Sequence, residues 1–399
     1  MNKCHTESAV LLSPQALIQQ KSHIALKEKC TVIGFLLVVF VASYFLMAYI
    51  AENVQLDMKA HAAFIPLMIA GTKKIPHFLW HALVWSFSKL TGQPYLTGAI
   101  WVTSLSITLL AFIKSLYFTF ALKNTNIRYP LILLLSALSM ILMPIYLPFF
   151  NPYLYLGQGG VGVWHNPTLL MVKPFAFVSV LSILWSLEKK ETKIMLFSLV
   201  VTTASILAKP NFILILLPAL LSYTLLIHRD EKADRKTGFF LASIVLLSAI
   251  VLAMQYYMTY LDIHEHNHLA IRPGAVWTHY TPSVCISILT ALAFPLLVGV
   301  GNKRQSRLLL FCWLLIFYGM FEAYFFVELH SDNSVLYDWN FIWGYLCATD
   351  LLFTASLIHY VVYYADYKKI AGVGNLLISF HGLSGLVYLK HLVMDNNFL

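Results

Sequence analysis

Asp57 and His61 stand four residues apart in "ENVQLDMKAHAAFIPLMIAG", a segment otherwise rich in apolar residues. On a helix, positions i and i+4 face one another. A carboxylate and an imidazole so placed can share a proton or hold a common ligand. Burial beside a bilayer raises a carboxyl pKa, which makes the group a better base at neutral pH. Aspartate is also a good helix cap, and Asp57 precedes the residues that would open a helix near Met58. Catalysis and capping are both open to it.

Three cations each precede a proline: Lys173 in "MVKPF", Lys209 in "LAKPNF" and Arg272 in "AIRPG". A lysine at the edge of an apolar span either reaches the interface or meets an anion. Together the three could grip a phosphate or diphosphate, Arg in bidentate fashion and Lys as a point charge. "YLGQGGVGVWHNPT" carries Gly157, Gly159, Gly160 and Gly162, with Gln158, His165 and Asn166 as donors. It lacks the Lys-Ser/Thr ending of a phosphate-binding P-loop, and its proline makes "NPT" no glycosylation sequon. "DIHEHNH" alternates His264, His266 and His268. That pattern suits a metal site with an added carboxylate and equally suits contact with a lipid headgroup or sugar. Glu322 and Asp350 are acids inside apolar runs, where an ionisable group must pair or line a cavity.

The elements that must carry these groups are membrane helices. Only 11% of the 399 residues are charged and 59% are hydrophobic, and the mean hydropathy is +0.73. Apolar runs cover residues 31–50, 98–120, 129–148, 168–187, 193–207, 211–227, 239–257, 282–300, 308–326, 341–363 and 370–393. Each approaches the length needed to cross a ~30 Å hydrocarbon core. The fold class expected is therefore an all-α polytopic integral membrane protein of about eleven transmembrane helices. Residues 1–30 form an N-terminal segment, and 31–393 form one helical domain.

The net charge of +9 is concentrated in short clusters such as "EKKETK", "HRDEKADRK", "NKRQSR" and "DYKK". They occupy every second loop, which makes those loops and the N terminus cytoplasmic by the positive-inside rule. The charge is thus topological and implies no nucleic-acid partner. The five cysteines show no C-x-x-C spacing, so neither a disulfide framework nor a metal knuckle is expected. The opposite loops are poor in charge and rich in His, Tyr, Trp, Asn and Gly. The first of them, 51–97, holds two amphipathic stretches: one after Asp57, and one in "IPHFLWHALVWSFSKL" with His77, His81, Trp85 and Lys89 near one-turn spacing. Both read as interfacial helices.

This pattern resembles the GT-C superfamily of polytopic glycosyltransferases that use polyprenyl-phosphate-linked sugars. The likeness rests on a large first extracytoplasmic loop with membrane-parallel helices, an acid shortly after the first span in "ENVQLDMKAH", and the Lys-Pro turn "AKPNF". It concerns architecture over roughly residues 31–300. Many members pair their acids, whereas here Glu52 and Asp57 are separated by four residues. The resemblance implies that Asp57 deprotonates the acceptor hydroxyl, with His61 orienting it or touching the phosphate. It implies that Lys173, Lys209 and Arg272 hold the donor phosphate, and that His165, His264 and Glu322 contact substrate. The partners implied are a polyprenyl-phosphate sugar donor, a glycan or lipid acceptor and membrane lipids. The site would face outward from a bacterial plasma membrane. No resident cofactor is called for, and a divalent cation is left open. A polymerase or ligase of undecaprenyl-linked glycans and a membrane transporter are the alternatives.

Overall fold

The computed structural model describes residues 26–54, 57–160, 162–227, 234–261, 267–301 and 306–395. The leader 1–25, the basic stretches 228–233 and 302–305, and the histidine run that includes His264 lie outside the described residues.

Each of the eleven apolar runs falls on a helix. They are α1 (Leu26–Asn53), α4 (Tyr95–Leu122), α5 (Tyr129–Ile141), α6 (Pro167–Lys189), α7 (Thr192–Ala208), α8 (Asn211–Ile227), α9 (Arg235–Tyr256), α11 (Val284–Gly301), α12 (Arg307–Phe325), α13 (Trp343–Val362) and α14 (Ala371–Met394). Among the described residues, eight are long and apolar enough to cross a membrane, while α5, α7 and α8 are shorter. Helices α13 and α6 form the buried centre, whereas α1 and α9 leave most of their apolar side chains exposed. Exposed residues such as Leu37, Val38, Phe45, Leu246 and Ile250 need a nonaqueous surrounding, because water-facing patches of that extent are rare. The protein is accordingly an all-α polytopic membrane protein.

Helix α5 stops short of the expected 129–148. Pro144 lacks an amide donor and disfavours helical geometry at the residue before it; Leu142 is already extended and no helix continues through 147. Non-helical backbone at membrane depth survives only where protein satisfies it, and neighbouring helices do so here. The Met143 amide donates to the His381 carbonyl, the Ile145 amide to Thr290 O and the Tyr146 amide to Ser384 Oγ, at 3.1, 3.1 and 2.9 Å. Gly385 faces the Ile141 carbonyl so closely that a Cβ would collide with it, which is the small-residue contact expected of packed membrane helices.

Two helices stand between α1 and α4, where the two amphipathic stretches lie: α2 (Asp57–Ile69) and α3 (Leu79–Thr91). Met58, Ala62 and Ile65 of α2 and Trp80, His81, Val84 and Ser88 of α3 face inward, at the i, i+3, i+4 spacing of one helix face. Trp80 Nε1 donates to Thr103 Oγ1 of α4 at 3.1 Å, fixing α3 to the bundle. A small antiparallel sheet accompanies them: β1 (His268–Ile271), β2 (Phe326–Leu329) and β3 (Val335–Leu336), in the order β1-β2-β3. A one-turn helix α10 (Trp277–Tyr280) follows β1. This sheet and the loop before α6 gather at the end of the bundle that carries α2 and α3.

Candidate functional site

The site is organised by the segment Asn166–Thr168, where α6 begins. Asn166 caps the helix, its Oδ1 accepting from the Leu169 amide at 2.8 Å, as an N-cap asparagine should. The same oxygen accepts from Thr168 Oγ1 at 2.9 Å. The Asn166 amide then donates from Nδ2 to Asp57 Oδ2 at 2.7 Å. On the other side Lys209 Nζ donates to Thr168 Oγ1 at 3.1 Å. A directed chain therefore runs from ammonium to hydroxyl to amide to carboxylate, joining three motifs that are far apart in sequence. It keeps cation and base apart while coupling them.

Lys209 occupies the turn between α7 and α8 and is 8% exposed. Its ammonium lies 4.6 Å from the centre of the Trp343 ring, a cation–π contact. Burial lowers its pKa to about 8, and the Asp57 carboxylate opposes that shift. The Asp57 carboxyl is pushed upward by burial and further by Asp338, against the lowering effects of Lys209 and of the Asn166 hydrogen bond. The result is a base more avid for protons than a free aspartate, beside a lysine still mostly cationic at neutral pH.

His61 does not pair with Asp57 as their spacing suggests. Its Nδ1 lies 3.0 Å from His81 Nε2, and its ring centroid is 6.4 Å from that of His77. The tertiary partner on α3 wins over the local i+4 geometry. Burial, reinforced by His81 and Lys209, drives His61 to about 2. Burial, with Lys209 next, takes His77 to about 3, and burial takes His81 to about 4. The three rings are thus neutral at physiological pH. Among the described residues no group of three His, Cys, Asp or Glu has the arrangement of a metal site.

His165 is buried beside this chain, with Nδ1 3.0 Å from the Tyr388 hydroxyl of α14. Burial lowers its pKa to about 3. The glycine loop before it is packed against protein. Gly157 and Gly159 have φ of 78° and 75°, the left-handed region that glycine adopts without strain. A Cβ on Gly159 would overlap the Tyr345 ring. The loop meets an aromatic wall: Trp277 Nε1 donates to Gly157 O at 2.8 Å, and Tyr280 stacks on Trp339 at 5.8 Å. Buried Gln158 makes no side-chain hydrogen bond to the described residues.

The other expected residues lie elsewhere. Lys173 is buried in the bundle, its Nζ 3.8 Å from Asp350, so it joins an ion pair among the helices. The same Asp350 is held at 2.5 Å by Lys114, which also donates to Ser139 O at 3.0 Å. Lys114 is the cation the sequence reading missed; a lone lysine within "AFIKSLYFTF" was the available signal. Arg272 is exposed after β1, and no described contact joins it to Asp57 or Lys209. Glu322 is buried with neither oxygen hydrogen-bonded to the described residues, and its carboxyl packs close to Gly344 at the start of α13. Thr168, Trp343 and Tyr388 escaped notice because nothing in their local sequence sets them apart. Among known proteins, no family model and no curated protein matches this chain.

Proposed function

We propose that this protein is an inverting membrane glycosyltransferase of GT-C type, moving a sugar from a polyprenyl-phosphate donor to a glycan or lipid acceptor. The observation that carries the reading is the Lys209–Thr168–Asn166–Asp57 chain. Asp57 takes the proton of an acceptor hydroxyl, whose oxygen attacks the anomeric carbon. The bond from that carbon to the phosphate oxygen breaks, and its electron pair leaves with the polyprenyl phosphate. One such displacement inverts the anomeric centre. Lys209 and the N-terminal end of the α6 dipole stabilise the departing phosphate. Because phosphate is already a good leaving group, the acid partner needed by glycoside hydrolases has no counterpart here. Tyr280, half-buried, offers a flat face for sugar, with Trp277 and Trp339 packed behind it. Arg272, His165, His264 and Glu322 are proposed to contact substrate through its more distant groups.

In this reading all eleven apolar helices span a bacterial plasma membrane. The N terminus lies with the basic loops in the cytoplasm, and the site opens on the other side. A transporter is the second reading, favoured by one observation: Glu322 and the Lys114–Asp350–Lys173 group place ionisable side chains within the spanning bundle, as transport proteins do. The test is to reconstitute purified protein with radiolabelled polyprenyl-phosphate sugars and extracted lipid acceptors. Label transfer with release of polyprenyl phosphate is expected. Uptake of sugar into proteoliposomes without transfer would overturn the transferase.

A further inference from the structure

The end of the bundle remote from Asp57 contains a second feature. Helix α13 has 20 residues, so at ~1.5 Å per residue its far end lies roughly 30 Å from Trp343. There a cavity of about 640 Å³ opens between α5, α13 and α14. Ile127, Leu135, Leu357 and Ile378 give it apolar walls, and Tyr360 and Asn375 give it a polar edge. The Tyr360 hydroxyl lies 3.0 Å from both the Ala371 carbonyl and Asn375 Oδ1, with one proton for the two acceptors. With its Oδ1 turned toward Tyr360, the exposed Asn375 amide has its N–H groups as donors.

The chain segments that border the cavity are strongly basic. Lys123 and Arg128 flank the lining residues Thr125 and Ile127, while Lys368 and Lys369 follow Tyr364. All four cations are exposed. Across 123–128 and 364–369 the only acid is Asp366. Four positive charges against one negative, over an apolar slot between membrane helices, complement one kind of occupant. Basic pockets between transmembrane helices suit anionic lipid headgroups, whose attraction to each Lys or Arg is worth about fivefold in affinity.

We propose that this cavity is a binding site for an anionic phospholipid of the adjacent leaflet. An acyl chain lies along Leu135, Leu357 and Ile378, the phosphate region accepts from Asn375, and the headgroup faces the four cations. The site is independent of the sugar-transfer reading and stands whether or not that reading holds.

The experiment uses the full chain, delipidated in mild detergent and titrated with phosphatidylglycerol or phosphatidylcholine, with bound lipid counted by native mass spectrometry. The wild type should bind phosphatidylglycerol in preference to phosphatidylcholine. Lys123→Gln, Arg128→Gln, Lys368→Gln and Lys369→Gln combined should weaken phosphatidylglycerol binding on the order of a hundredfold, since four charges at about fivefold each set the upper limit. Phosphatidylcholine binding should be unchanged. Ser379 also lines the cavity, and Ser379→Trp, which fills the slot, should displace both lipids. Equal binding of the two lipids by the wild type, or unaltered preference in the charge variant, would overturn the proposal. The charge variant changes only exposed side chains, so it decides the matter even if the tryptophan disturbs folding.

Discussion

Thr168→Val keeps the shape of a side chain that is fully buried and removes its hydroxyl alone. Two hydrogen bonds then disappear: the one accepted from Lys209 Nζ and the one donated to Asn166. A bond to a charged donor contributes about 1.5–3 kcal/mol and a neutral one about 1 kcal/mol, so the protein should lose about 2.5–4 kcal/mol of stability. The buried ammonium would keep Trp343 and its attraction to Asp57 but lose its one side-chain acceptor among the described residues. The charged form of Lys209 is then less favoured, and its pKa falls further below about 8. In wild type, transfer should decline as pH rises past about 8, where the ammonium deprotonates. In the variant that decline should begin at lower pH, while Asn166 still orients Asp57 and preserves the acidic limb. The assay is the pH dependence of label transfer from a polyprenyl-phosphate sugar, with thermal unfolding run alongside. An alkaline limb that stays near pH 8 in a destabilised variant would refute the coupling of Lys209 through Thr168.

Other consequences can be checked without a substrate. Gly159→Ala puts a Cβ into the Tyr345 ring at a positive φ, and thermal unfolding should register a loss of at least about 1–3 kcal/mol. Lys114→Met strips Asp350 of its shorter ion pair and leaves, among the described residues, the 3.8 Å contact with Lys173; breaking a buried pair this way should cost about 3–5 kcal/mol in a denaturation experiment. Acid should destabilise the protein through His61, His77 and His81. Their folded pKa values lie near 2, 3 and 4, below the ordinary 6.5, so the unfolded chain binds more protons in the window between. Stability from these groups is present above pH 6.5 and is lost as pH falls toward 4. His81→Gln should flatten that part of a stability-against-pH curve.

Much of the helical architecture was legible because apolar runs report local physics: every run found a helix, and 211–227 matches α8 residue for residue. The early end of α5 was written in Pro144, whose effect outweighed the hydrophobic run around it. The sheet was not legible, since β1 and β2 are four residues each and pair across more than fifty residues of sequence. Pairing at such separation depends on how the helices between them pack. The candidate site divides in the same way. Asp57, His165 and Lys209 were each conspicuous as polar groups at the ends of apolar runs. That Asn166 and Thr168 join Asp57 to Lys209 depends on α2 meeting the start of α6, which no local pattern encodes. Lys173 looked like a partner of Lys209, yet it finds Asp350, 177 positions later, because helix packing placed an acid within reach.

Asp57 is proposed to remove the proton from the acceptor. The most direct measurement is the transfer rate of Asp57→Asn against wild type, with both proteins shown to be folded by matched thermal unfolding and both saturated with polyprenyl-phosphate sugar. Asparagine keeps the side chain's shape and cannot take the proton, so the rate should fall by about 10²–10⁴, the range for a positioned general base. A folded Asp57→Asn protein that transfers sugar at the wild-type rate would contradict the account and return Asp57 to the role of a residue that ties α2 to the start of α6.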